Sequence, residues 1–286
     1  RVFKGHEDGV DGMLLKSDER LILSWSKDQT LRLWSIESGE CLRIFNGHKN
    51  RIKGMVLTPA EDRVLSWSCD DTLRLWDIGS GECIRVFKGH EDDVWGALLV
   101  SDGSRALSWS KDSTLRLWDM ESGENLRVFN GHDKAVGGVL LMLNSRRILS
   151  RSEDKTLRLW DLENGECLRV FKGHSNTVWG VHLMSDGRRA LSWSKDSTLR
   201  LWNMESGECL HVFEGHNAAV AGVLLTSDDH LAISRGWDYT IRLWNIEYGK
   251  CLRVFEGHED AVRGISLMSD ERRLLSWSLD STLRLW

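Results

Sequence analysis

This chain carries none of the short motifs that mark common enzyme chemistry: no P-loop, no GxGxxG, no HExxH, no GxSxG and no EF-hand loop. Nucleotide cradling, zinc hydrolysis and serine-nucleophile chemistry therefore have no local foothold. No apolar run approaches the roughly 18 residues of a helical membrane span. No signal-peptide pattern opens the chain, and no Asn-x-Ser/Thr sequon occurs. CxxC and other metal-ligand spacings are missing too. A cationic excess is also lacking: the net charge is −5 with 28% charged residues, which argues against a mainly electrostatic grip on nucleic acid. Of 10 histidines, seven share one dipeptide, while His182, His211 and His230 are scattered. The chain reads as a non-enzyme without a cofactor or a catalytic, cofactor-binding or metal residue, and with neither nucleic acid nor membrane as partner.

What is present is a repeat. Gly-His recurs at every 42nd residue, at His6, His48, His90, His132, His174, His216 and His258, with no insertion or deletion. A Trp follows each His 28 residues later: Trp34, Trp76, Trp118, Trp160, Trp202, Trp244 and Trp286. A fixed period of about 40 to 45 residues with these signatures points to four-stranded blades arrayed around an axis. Seven full periods would need eight more residues than the 286 present. The opening "RVF" at Arg1 to Phe3 matches the outer strand that the last repeat lacks. The expected architecture is one all-β domain over 1–286, with blades near 5–45, 47–87, 89–129, 131–171, 173–213, 215–255 and 257–286 plus 1–3. The N-terminal strand would complete the last blade and leave no unpaired radial edge. A start without Met reads as a domain cut from a larger multidomain protein.

Within the first repeat, "GVDGMLL" (Gly9 to Leu15) reads as strand a and "LILSWS" (Leu21 to Ser26) as strand b. "TLRLW" (Thr30 to Trp34) is strand c and "CLRIF" (Cys41 to Phe45) strand d, with polar turns between them. Arg in the middle of every strand c, and near the start of most d strands, is expected to keep the rim charged. Five cysteines (Cys41, Cys83, Cys167, Cys209, Cys251) share one repeat position. Blade symmetry would hold them beyond the roughly 7 Å Cα limit for a disulfide. Free thiols favour a reducing, cytoplasmic location. Strand b carries Trp25, Trp67, Trp109, Trp193 and Trp277, while strand a carries Gly12, Gly54, Gly96, Gly138, Gly180, Gly222 and Gly264. A volume exchange is expected, each indole filling the space of a missing Cβ. Arg151 and Arg235 replace the Trp in two blades.

Over its whole length the chain resembles a WD-repeat β-propeller: Gly-His, the turn Asp and the strand-c Trp appear in all seven copies. The resemblance implies a buried hydrogen-bonded tetrad of His, Ser, Asp and Trp in each blade. The first three are His6, Ser24, Asp28, Trp34; His48, Ser66, Asp70, Trp76; and His90, Ser108, Asp112, Trp118. The next two are His132, Ser150, Asp154, Trp160 and His174, Ser192, Asp196, Trp202. The last two are His216, Ser234, Asp238, Trp244 and His258, Ser276, Asp280, Trp286. Strand b offers two serines. The first is preferred, because the second becomes Gly236 in the sixth repeat where Ser234 remains. Sevenfold repetition marks these residues as architecture rather than as catalytic triads.

In the same family the face carrying the Gly-His loop and the b–c turn is the common binding surface, around a channel mouth. Its reading positions flank the first strand-a Val or Ile and precede the turn Asp. Three tryptophans outside the repeated pattern, Trp95, Trp179 and Trp237, all fall on these positions. Trp is enriched at binding hot spots; local packing under the Gly-His loops is the plainer alternative. Basic Lys27, Arg51, Lys53, Lys111, Lys195 and Arg263 outnumber acidic Asp11, Asp93 and Glu153 there. The leading reading is a non-catalytic module that recognises a protein or peptide. Its similarity to propellers of bacterial NACHT or NB-ARC signalling proteins implies a sensor acting on other domains of its own chain. A constitutive scaffold comes second, and a small-ligand or glycan binder third.

Overall fold

Apolar alternation over five or six residues, interrupted by polar turns, builds the same unit in every repeat. In the computed structural model, which describes residues 1–100, 102–142 and 146–286, the first repeat forms strands Val10–Leu15, Leu21–Ser26, Leu31–Ser35 and Cys41–Phe45. These limits lie within one residue of the a, b, c and d strands read from the sequence. Each sheet is antiparallel with neighbours in chain order, and among the described residues six sheets have four strands and the last has three. By contact density the chain divides into two compact units, Arg1–Gly138 with Glu163–Gly165, and Val139–Leu162 with Glu166–Trp286.

Two local devices shape each blade. The residue after the turn Asp takes a left-handed backbone, as at Gln29 (φ 70°) and Ser197 (φ 71°). The Asp side chain supports that conformation: Asp28 Oδ1 accepts the Thr30 N–H at 2.9 Å and its hydroxyl at 2.7 Å. The second device is a bulge. Pairing between strands a and b passes from Val10–Ser26 to Gly12–Trp25, so Asp11 opposes nothing. Lys53, Trp95, Trp179, Ala221 and Arg263 stand at the same bulge. An unpaired bulge residue re-aims its side chain.

Successive blades bury their strands against each other. Leu23, Leu31 and Phe45 pack with Ile52, Met55, Val64 and Trp76; Leu191, Leu199 and Phe213 pack with Val220, Ala232 and Trp244. Each such side chain contributes roughly 1.5 to 3 kcal/mol on burial. The expected Gly–Trp exchange is present. A Cβ on Gly12, Gly54, Gly96, Gly180 or Gly264 would overlap the edge of the strand-b Trp ring of its own blade. Where Arg replaces that Trp, the guanidinium reaches the main chain of the next blade. Arg235 Nη1 donates to the Val262 carbonyl at 2.8 Å, and Arg151 Nη1 to that of Val178 at 3.4 Å. All six cysteines are free.

The strand-c arginines do not serve as rim charges. Arg32 is only 9% exposed, with its Cζ 6.0 Å from the Trp34 ring centroid and its Nη1 pressed on Gly5 of the Gly-His loop. The guanidinium lies within cation–π range of the indole, and the Gly leaves it room. Nε of Arg32, Arg74, Arg116, Arg158, Arg200, Arg242 and Arg284 is buried without a hydrogen-bond partner. The strand-d arginines are the exposed ones, and they join neighbouring blades: Arg43 Nε donates to the Gly79 carbonyl at 3.3 Å and Arg85 Nε to that of Glu121 at 2.9 Å.

The fourth strand expected of Arg1 to Phe3 is not formed. The last sheet ends at Leu283–Leu285, and Arg1 to Phe3 enters no strand pairing. Their side chains nevertheless dock on blade one as a d strand docks on its neighbour. Phe3 meets Trp34 edge-on at 5.9 Å, as Phe45 meets Trp76, and Arg1 Nη1 donates to the Ile36 carbonyl at 2.8 Å. Val10 and Met13 are 57% and 60% exposed, whereas their counterparts Ile52 and Met55, packed against blade one, are 0% and 5%.

Candidate recognition site

The first cluster with the look of chemistry is sealed. His6 Nδ1 lies 2.8 Å from Asp28 Oδ2, His6 Nε2 lies 2.7 Å from Ser24 Oγ, and Trp34 Nε1 donates to Ser24 Oγ at 2.8 Å. The same set links His48, Ser66, Asp70 and Trp76, and likewise His90, Ser108, Asp112 and Trp118. It recurs on His174, His216 and His258 with their partners. In the fourth blade Trp160 Nε1 donates to Ser150 Oγ at 2.8 Å. The serine used is the first on strand b. The second ties the turn to the Gly-His loop, since Ser26 Oγ accepts the Asp28 N–H at 3.0 Å and donates to the Gly9 carbonyl at 3.0 Å.

Burial pushes the Asp70 carboxyl up. Bonds from His48, the Thr72 hydroxyl and the Lys49 N–H outweigh it and hold the group well below the usual carboxylate range. Burial also holds His48 below its ordinary value, against the pull of Asp70. With side-chain exposures of 0% and 6% for His48 and Asp70, no substrate reaches this pair. The tetrads position strands and turns.

Those same turns carry the reading positions. In blade one the Lys27 N–H donates to the Gly9 carbonyl at 3.0 Å, a main-chain bond between the turn residue and the Gly-His loop residue. Cys69 to Arg51, Lys111 to Asp93, Lys195 to Thr177, Trp237 to Ala219 and Leu279 to Ala261 are joined likewise at 2.9 to 3.1 Å. The third position of each blade is the bulge residue. In these six blades the turn residue, the loop residue and the bulge residue thus share one end, held by main-chain bond and bulge.

Trp179, at the bulge of blade five, and Trp237, in the turn of blade six, have ring centroids 4.9 Å apart. With Ala221, Arg235, Ala261, Val262, Arg263 and Leu279 they line a groove of about 530 Å³. Trp95 occupies the bulge of blade three, half-buried, with no ring contact among the described residues. Trp237 is 52% exposed, unlike the strand-c tryptophans.

The basic residues expected to act together are partly spent on neighbours. Arg51 holds Asp11 through two bonds of 2.7 Å, which keeps the Asp11 carboxyl below its usual range, with Lys27 and Lys53 adding attraction. Lys111 pairs with Asp92 at 3.1 Å. Lys195 and Glu153 stand exposed in their turns. Burial pushes the Cys69 thiol up to about 11, and its bond to Asp93 adds to this. Sequence spacing missed Arg235, a strand-b residue whose guanidinium extends into the groove. Its substitution for Trp was the available signal. Asp71, Asp92 and Asp93 bring carboxylate oxygens within 4.8 Å of one another, the one such group among the described residues. Lys111 already neutralises Asp92 there.

Seven successive stretches, residues 1–35, 39–77, 81–119, 123–161, 165–203, 207–245 and 249–286, match the family model of the WD domain, G-beta repeat. The chain belongs to the WD40 family. Its fold class is the all-β, seven-bladed propeller, one repeat per blade. Part of this WD40 chain is similar to human WD repeat-containing protein 18, at 42% identity over 43 residues, or 15% of this chain and 10% of that protein. A second similarity is to the DDB1- and CUL4-associated factor 11 homolog of Caenorhabditis briggsae, at 48% over 40 residues, or 14% and 7%. The chain thus matches about a tenth or less of these relatives' length. Among solved structures, the computationally designed Ika8 protein superposes with a TM-score of 0.78 at 26% identity, over 99% of this chain and 84% of that one. The named relatives are animal proteins, and the expected resemblance to bacterial NACHT or NB-ARC signalling proteins is not shown by these comparisons. WD40 repeats make the chain a protein-interaction or scaffold module.

Proposed function

We propose that this WD40 chain is a non-catalytic recognition module that binds a protein or peptide on its bulge and turn residues, with Trp179 and Trp237 as anchors. The contact between those two indoles carries the reading. Two tryptophans that break the repeat, from different blades, form one partly exposed apolar surface. Trp suits such a role because it offers a large, stiff contact area with a polar N–H. A second reading, a scaffold that binds through blade sides, draws on the exposed strand-d residues Ile44, Val128 and Val212.

A photo-crosslinking residue placed at Trp237 or at Val212 separates the two. Recognition through the groove predicts a crosslinked partner from position 237 and none from 212. Trp179→Ala and Trp237→Ala should each weaken that partner by about 2 kcal/mol or more. Crosslinking from 212 alone, unaffected by the Trp variants, replaces this reading with the scaffold.

A further inference from the structure

The groove between Trp179 and Arg263 contains two cations and no anion. At their bulges, three consecutive blades present an aromatic, a small and a cationic residue: Trp179, Ala221 and Arg263. Ala221 and Ala261 leave the floor open, while Trp237 and Leu279 border it. Arg235 enters from strand b across Gly222, where a Cβ would stand 2.8 Å from Nε. One of its donors is committed to the Val262 carbonyl at 2.8 Å. Among the described residues Arg235 forms no other hydrogen bond, and neither Arg235 nor Arg263 has an ion pair. Burial lowers the proton affinity of Arg235, and the charge of Arg263 lowers it further, with no acidic group acting against them. Arg151, the equivalent residue of blade four, meets burial alone. Arg235 therefore has a second guanidinium acting on it that Arg151 lacks.

One partly buried guanidinium, Arg235, and one exposed one, Arg263, without a counter-ion among the described residues, favour an incoming anion. The planar fork of each presents parallel N–H donors that match a carboxylate. The neighbouring indoles offer an apolar seat. We propose that the groove takes an acidic peptide segment, with a Glu or Asp carboxylate on Arg235 and Arg263 and an adjacent apolar side chain against Trp179 and Trp237. This rests on the recognition reading above and names its ligand class.

The test uses the whole chain and a set of blocked, fluorescein-labelled hexapeptides. Each places Leu, Phe or Trp one or two residues from Glu, and each has a counterpart with Gln for Glu. Fluorescence polarisation should show Glu peptides binding at least tenfold more tightly than their Gln counterparts, with the gap narrowing as salt rises. Arg263→Gln, at an exposed position, should remove the discrimination by bringing Glu-peptide binding down to the level of the Gln counterparts. Arg235→Gln, checked for folding by thermal melting, should act the same way. Equal binding of Glu and Gln peptides, discrimination that survives Arg263→Gln, or no binding by any peptide in the set overturns the proposal. So does a phosphoserine counterpart that binds more than tenfold tighter than Glu, which would assign the cations to phosphate. Trp-dependent binding that ignores charge removes only the acidic preference. Peptide binding indifferent to Trp179→Ala and Trp237→Ala removes the recognition surface itself.

Discussion

Trp179 and Trp237 meet with ring centroids 4.9 Å apart and planes inclined by 57°. Neither belongs to the repeated core, yet each is held by it. Trp179 projects from a bulge between strands a and b, and Trp237 follows strand b with its N–H on the Ala219 carbonyl. An aromatic pair of this kind contributes about 0.5 to 1.5 kcal/mol beyond its buried area. Contact between them also limits the rotamers each can take. The proposed recognition surface is therefore partly organised in advance, which would lower the ordering cost of association.

The tetrad Asp supports both a loop and a turn. Asp70 accepts from His48 Nδ1 at 2.9 Å, from the Lys49 N–H at 2.8 Å and from the Thr72 hydroxyl at 2.6 Å. Asp70→Ala leaves these donors unmatched, and a loss of roughly 1 to 3 kcal/mol is expected in urea unfolding. Asp71→Asn is the control. Burial and the carboxylates of Asp92 and Asp93 push the Asp71 carboxyl up, so neutralising it should leave stability unchanged or slightly raised. Asn also tolerates the left-handed backbone found there, at φ 65°. Equal urea midpoints for the two variants would show that the network contributes nothing.

Acid should unfold the chain through the same residues. Asp28, Asp70, Asp112, Asp196, Asp238 and Asp280 are all held below the usual carboxylate range, because hydrogen bonds outweigh burial. The unfolded chain therefore binds protons near pH 4 that the folded chain refuses, and the stabilisation present above that pH drains away below it. His48, also lowered by burial, adds a smaller loss that begins below about pH 6.5. Urea midpoints should fall gently from pH 7 to 5 and steeply below 4. A midpoint that rises on acidification contradicts the direction of these shifts.

The glycine of strand a is set by the indole above it. In an open strand, Gly→Ala is expected to stabilise by up to about 1 kcal/mol. In blade three a Cβ on Gly96 would overlap the Trp109 ring, so Gly96→Ala should instead cost roughly 1 to 3 kcal/mol. Trp109→Leu in the same chain should recover most of that loss. Strictly additive single and double variants, read by thermal melting, would mean that the two side chains do not share the space.

Much of the fold was legible because a repeat states its contacts many times. His6, Ser24, Asp28 and Trp34 lie within one period, and their bonds close inside one blade. The choice of the first strand-b serine could be read from Gly236 alone. The candidate surface was legible only as positions. Trp95 and Trp179 share the bulge site and Trp237 occupies a turn site, but among the described residues only Trp179 and Trp237 touch. Arg51 and Lys53 looked like joint members of a basic cluster, and Arg51 is bound to Asp11 instead.

The 42-residue spacing and strand alternation by themselves determined the blades and their turns, since these arise from short-range pairing that each repeat specifies alone, while the tetrads followed from the WD-repeat resemblance. Tertiary structure decided where long side chains end. Arg32 folds back onto Trp34 and Gly5, Arg51 crosses to Asp11 of the preceding blade, and Arg235 reaches the Val262 carbonyl of the next. It also left Arg1 to Phe3 docked by side chains without a ladder. The reason is physical: backbone pairing follows local pattern, whereas a guanidinium or an indole settles on whichever donor, acceptor or apolar face the packed blades bring within its reach.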